Sequence, residues 1–123
     1  MKYLLAVRDT FSAAHRLAGS GGRCENLHGH NFAVEIKVEG ARLDGAGMVV
    51  DFTVLKNILR TILIDLDHTD LNSVPAFSGQ SPSSERIAGY VFERAEELLS
   101  DLDVGVASVT VSESRNASAT YLP

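Results

Sequence analysis

The stretch His28-Gly29-His30-Asn31-Phe32-Ala33-Val34-Glu35-Ile36-Lys37-Val38-Glu39 carries two patterns at once. Phe32, Val34, Ile36 and Val38 fall on one face, and Glu35, Lys37 and Glu39 on the other. That two-residue period is a strand with one face buried. Followed backwards, the apolar positions reach His30 and His28, an i, i+2 pair whose imidazoles point the same way on an extended backbone. Gly29 between them leaves no side chain on the reverse face and permits close backbone approach.

Upstream, Tyr3, Leu5, Val7, Phe11 and Ala13 alternate as a second strand, with Asp9 the exception. His15 continues this odd-numbered face beyond the expected strand end. Three of the four histidines therefore lie within sixteen residues and can converge on one half-buried site. A lone histidine at a strand end is commonly an ordinary polar residue. Three neutral imidazoles facing one way suit zinc, leaving a fourth position open as in catalytic sites.

A small-residue loop, Ala18-Gly19-Ser20-Gly21-Gly22-Arg23, leads to Cys24, four residues before His28. Its polar surroundings argue against a packing role, and a nearby cation would raise the thiolate fraction, giving a reactive base. Cys24 could also be a fourth ligand, which would close the site as a structural one. Asp67 precedes His68, a pairing that orients an imidazole or stabilises its charged form. Glu113 falls on the odd-numbered apolar face of Ala107, Val109 and Val111, where a carboxylate needs donors. Two adjacent N–H groups, as on a pterin, would supply them; alternatively the strand has ended and Glu113 is solvated.

The rest of the chain predicts an α+β layer. Asp44-Gly45 turns into a short strand at Met48-Val49-Val50. Asp51 caps a helix whose stripe is Phe52, Leu55, Leu59, Ile62 and Leu66. Ser81-Pro82 opens a second helix with the stripe Ile87, Val91, Ala95, Leu98 and Leu102. Two strands follow, the last ending at Tyr121. The order β, β, β, α, α, β, β places two helices on one sheet face, with edges available for association.

Composition narrows the classes. The 123 residues suit a single domain, 1–123, and the formal charge of −5 with no run of Lys or Arg argues against nucleic acid as partner. No segment approaches the roughly 20 apolar residues of a membrane span, and no secretory leader is evident. A single cysteine forms no internal disulfide and fits a reducing compartment, so a cytoplasmic location is expected.

Phe11-Ser12-Ala13-Ala14-His15, Cys24-x-x-x-His28-Gly29-His30, Gly47-Met48-Val49-Val50-Asp51-Phe52, Leu66-Asp67-His68 with Leu71-Asn72, Ser83-Ser84-Glu85, and Glu113 ahead of Tyr121 occur in one order. Together they resemble the 6-pyruvoyltetrahydropterin and 6-carboxytetrahydropterin synthase family over nearly the whole chain. The resemblance implies the tunnelling fold: a four-stranded antiparallel sheet with two helices, trimerising into a barrel and stacking into hexamers. It implies zinc on His15, His28 and His30, with Cys24 as proton-abstracting base. Asp67 and His68 would complete a relay from a neighbouring subunit, and Glu113 would anchor the pterin or join that relay. Ser83 and Ser84 would approach substrate from the start of the second helix, although Arg86 stands where members commonly carry Asn. The implied substrate is 7,8-dihydroneopterin triphosphate, and the implied activity a lyase forming 6-carboxytetrahydropterin for deazapurine (queuosine) synthesis. Alternatives are the pyruvoyl-forming synthase and, in another class, a zinc- or pterin-binding module without turnover.

Overall fold

Five strands form one sheet: β1 (Tyr3–His15), β2 (His28–Gly40), β3 (Thr69–Asp70), β4 (Gly105–Ser114) and β5 (Ala117–Tyr121), in the order β3-β1-β2-β4-β5. The helices are α1 (Phe52–Leu63) and α2 (Ser84–Leu98). This computed structural model describes residues 1–19 and 21–123, without the side chains of Arg23 and Cys24. The expected four-stranded antiparallel sheet is present as β1, β2, β4 and β5. The two-residue β3 extends it in parallel at the β1 edge, pairing Ala13 with Thr69 and Ala14 with Asp70.

Alternation sorts the sheet into two faces. Val7, Phe11, Phe32, Val34, Ile36, Val38, Val109 and Val111 are buried against both helices, so the layer has the expected helix-covered side. Phe11 and Phe32 stack with ring centroids 4.9 Å apart. Each such side chain contributes roughly 1.5–3 kcal/mol relative to exposure. The other face is polar, with Ser12 Oγ donating to Asn31 Oδ1 at 2.6 Å and Arg8 Nε to Glu35 Oε2 at 2.6 Å.

Several details depart from the sequence reading. Met48–Val50 is not a strand, because Asp44 consumes the local main chain. Its carboxylate accepts from Ala46 N–H at 2.8 Å and Met48 N–H at 3.0 Å, while its own N–H donates to Met48 O at 2.8 Å. The second helix begins later than Ser81-Pro82: Ser83 is the N-cap, its hydroxyl accepting from Arg86 N–H at 3.2 Å. On α2 the buried stripe is Ile87, Ala88, Val91, Phe92 and Ala95, followed by Leu99, whereas Leu98 and Leu102 are exposed. On β4 a register shift opposite Lys37 and Val38 turns Val106 inward and leaves Ala107 half-buried. A bulge of this kind reverses which residues face the core.

Asp51 caps α1 as expected, accepting from Thr53 N–H at 2.7 Å. The helix ends at Leu63, short of Leu66, which is nonetheless fully buried.

Candidate metal centre

The register between β1 and β2 builds the centre. His15 is the last residue of β1, inside the strand rather than beyond it, and lies directly opposite His28. Two residues further along β2, His30 opposes Ala13 on the same helix-covered face. The imidazole centroids are 4.5 Å apart for His15 and His28, 4.9 Å for His28 and His30, and 5.4 Å for His15 and His30.

Main-chain carbonyls orient two of the rings. His15 Nδ1 lies 2.8 Å from Pro82 O, and His28 Nδ1 lies 2.7 Å from Asn26 O. A ring nitrogen facing a carbonyl must donate, which fixes the tautomer and leaves Nε2 with its lone pair. Neither carbonyl is visible in a sequence, which shows side chains alone. Pro82, read as the opening of a helix, instead presents its carbonyl to a candidate metal ligand.

Glu113 joins the imidazoles. Its Oε1 lies 3.4 Å from His30 Nε2 and 3.6 Å from His15 Nε2. Donor atoms of His15, His28, His30 and Glu113 all lie within 4.8 Å of one another. Of the two placements open to Glu113, the structure shows the half-buried one, within β4 with the carboxylate turned toward the histidines. Local sequence pattern does not show its closeness to the histidines, because β4 reaches β2 only through long-range pairing.

His15 provides the test of whether this group suits a metal. The residue is fully buried, and its Nε2 is, among the described residues, the buried side-chain nitrogen or oxygen without a hydrogen-bond partner. Glu113 at 3.6 Å is too distant to satisfy it. An unpaired buried acceptor is costly unless something outside the chain completes it. Three imidazoles and a carboxylate are a donor set that zinc accepts. Burial holds the His30 imidazole below the usual histidine range; Glu113 opposes this, and His28 and His15 reinforce it. Neutral rings are the form that binds metal.

Asp67 and His68 lie at the β1 edge. Asp67 Oδ1 accepts from Ser12 N–H at 2.8 Å and stands 3.1 Å from His68 Nδ1. His68 N–H donates to Ser12 O at 2.6 Å, and the residue holds a φ of 58°, rare for any residue but glycine. The Ser12 amide is the main cause keeping the Asp67 carboxyl below the usual carboxylate range. Partial burial opposes that lowering, while His68 and Arg60 add to it. Any stability from this ionised group is present above the ordinary carboxylate pKa and is lost as pH falls through the lowered value. His68 is mostly exposed and, with Ser12, Ala14, Gly29 and Asn31, borders an open depression of about 410 Å³ that also touches His30.

Cys24 lies outside the described side chains, so its expected place beside the cluster is not addressed. Ser83 is occupied as a cap and borders an open cavity of about 600 Å³ with Glu85, Arg86 and Tyr121; Ser84 is the first residue of α2.

A family model described as 6-pyruvoyl tetrahydropterin synthase matches residues 4–123. The chain belongs to that family. The synthase-family match agrees with individual relatives. A 6-carboxy-5,6,7,8-tetrahydropterin synthase from Synechocystis is 38% identical over 124 residues, covering 97% of this chain and 92% of the relative. A 6-pyruvoyl tetrahydrobiopterin synthase from Dictyostelium discoideum is 31% identical over 130 residues, covering 96% and 94%. The solved Caenorhabditis elegans 6-pyruvoyl tetrahydropterin synthase superposes with a TM-score of 0.86 at 29% identity, covering 100% of this chain and 96% of that one. The tunnelling-fold reading thus holds, and the family is one of tetrahydropterin synthases. No helix among the described residues is long and apolar enough to cross a membrane.

Proposed function

We propose that this chain is a zinc-dependent lyase acting on 7,8-dihydroneopterin triphosphate to form 6-carboxy-5,6,7,8-tetrahydropterin. One observation carries the reading: the buried, unpartnered His15 Nε2 faces a cluster with His28, His30 and Glu113. The 38% identity to the Synechocystis carboxy-forming enzyme puts that product first. The Dictyostelium relative, at 31% over a similar span, keeps the pyruvoyl-forming reaction as the second reading. Mass spectrometry of the products from dihydroneopterin triphosphate separates the two. A chain that binds pterin without any turnover would be a binding module.

His15, His28 and His30 would hold the zinc. When bound, the ion would supply Lewis-acid polarisation of oxygens on the substrate side chain, acidifying the adjacent C–H and O–H groups. Cys24, as thiolate, accepts the proton released from the side chain. His68 passes protons onward; Asp67 receives its Nδ1–H and leaves Nε2 free to exchange.

The relay is assigned to two chains. The metal cluster occupies the helix-covered face, whereas Ser12 and Asn31, which border the depression beside His68, belong to the opposite face. An exposed His68 at a sheet edge is accessible to a second copy. Trimers, alone or stacked as hexamers, would bring the open edges together. The single domain is assigned residues 1–123, and the cytoplasm is its proposed location.

Glu113 is assigned to the N–H groups of the pterin ring, with Ser83 and Ser84 as further substrate contacts. Glu113→Gln removes an ionised acceptor. A charge-assisted hydrogen bond contributes roughly 1.5–3 kcal/mol, so pterin affinity should fall about 10- to 150-fold. Calorimetric titration and metal analysis of one preparation check this. Weaker pterin binding with metal retained is expected; metal loss with pterin affinity unchanged would make Glu113 a ligand instead.

A further inference from the structure

We propose that Arg60 is a positioning residue for the Asp67–His68 pair, its charge drawing one oxygen of the Asp67 carboxylate toward α1 so that the other stays turned to Ser12 N–H and His68. The inference rests on the relay reading above.

Arg60 stands in the last turn of α1 and reaches back to the edge of β1. Nη2 lies 3.6 Å from Asp67 Oδ2, while Nη1 lies 3.4 Å from both Asp9 Oδ2 and Thr10 O. The Asp67 carboxylate is thereby divided. Oδ1 meets Ser12 N–H and His68 Nδ1, and Oδ2 meets the guanidinium. The Ser12 amide holds Oδ1 directly, and the guanidinium adds an ion pair at Oδ2 that opposes rotation of the carboxylate about that bond. Asp9 and the Thr10 carbonyl hold Arg60 in turn, so the guanidinium bridges two fixed points. This also accounts for Asp9, the charged residue that interrupts the apolar alternation of β1.

A helix-end arginine also complements the helix dipole, and half-exposed ion pairs add little stability. Neither effect requires a guanidinium shared between Asp9 and Asp67. Arginine's planar fork can span two acceptors, which a lysine ammonium does less well. The charged groups facing Asp67 are His68 beside it and Arg60 from α1; Asp9 faces Arg60.

The test uses the zinc-loaded full chain as wild type, Arg60→Ala and Arg60→Lys, with carbon-13-labelled aspartate. General acid–base groups contribute about 10²–10⁴-fold, so loosening one should cost about 10-fold in kcat. KM and metal content should stay unchanged, and the Asp67 carboxyl should titrate at higher pH in the alanine variant. Arg60→Lys should restore part of both effects, because it keeps the charge but not the fork. An alanine variant with wild-type kcat and an unmoved Asp67 titration would overturn the proposal, as would a loss in KM or metal content alone. If wild-type protein itself fails to turn over the triphosphate, the lyase reading falls. The Asp67 titration still decides, independently, whether Arg60 holds the carboxylate.

Discussion

Replacing His30 with Ala is expected to strip the metal and remove turnover, while the protein stays folded. His30 is the suitable ligand to remove because its side chain is 26% exposed, whereas His15 is completely buried. His15→Ala would leave a cavity and an unpaired Pro82 carbonyl, confusing metal loss with unfolding. Mutating groups that merely support a metal ligand costs about 10- to 100-fold in affinity, so deleting the ligand itself should exceed 100-fold. Elemental analysis after dialysis against a weak chelator provides the stoichiometry, and a thermal melt checks the fold. Cys24→Ala is the matched comparison: it should keep near-stoichiometric zinc and lose activity. Zinc retained by His30→Ala would remove that residue from the centre, and zinc lost from Cys24→Ala would make the thiol a ligand.

The second expected result is recovery of activity from two inactive proteins. Cys24→Ala and His68→Ala should each fall to about 1% of wild-type activity or less, given the usual contribution of a proton-transfer group. When they are mixed, dissociated and reassembled, a site is intact wherever a chain with its cysteine adjoins a chain with its His68. In a ring of equal, randomly placed copies, about a quarter of the interfaces meet that condition. The mixture should therefore reach about a quarter of wild-type activity. Mass spectrometry must show mixed oligomers in the same sample, in multiples of three chains. Mixed oligomers without recovery would put the relay inside one chain, or remove His68 from the chemistry.

The clustering of the three histidines was legible where local periodicity carries it. His28 and His30 are fixed by the same alternation that buries Phe32 and Val34, and His15 by the phase of Phe11 and Ala13. What escaped the sequence depends on main-chain groups and distant pairing. The carbonyls of Pro82 and Asn26 orient two rings, and Glu113 arrives from a strand more than eighty residues away. Apolar residues at Met48–Val50 suggest a strand, but Asp44 occupies the hydrogen-bonding groups that a strand would need. Likewise β3 has two residues and no pattern of its own; it exists because the Asp67–His68 turn docks on Ser12. The register shift facing Lys37 and Val38 moved the inward face of β4 without any glycine or proline inside the strand beyond Gly105 to mark it.

The most direct measurement is metal-dependent turnover by the full chain. Protein depleted of metal is incubated with 7,8-dihydroneopterin triphosphate, then restored with one equivalent of zinc, and the products are identified by mass spectrometry. The expected result is no product before zinc is added and 6-carboxy-5,6,7,8-tetrahydropterin afterwards, with His30→Ala silent under both conditions. Equal product formation with and without metal, or no conversion by fully loaded wild-type protein, would contradict a zinc-dependent lyase at the His15, His28 and His30 centre.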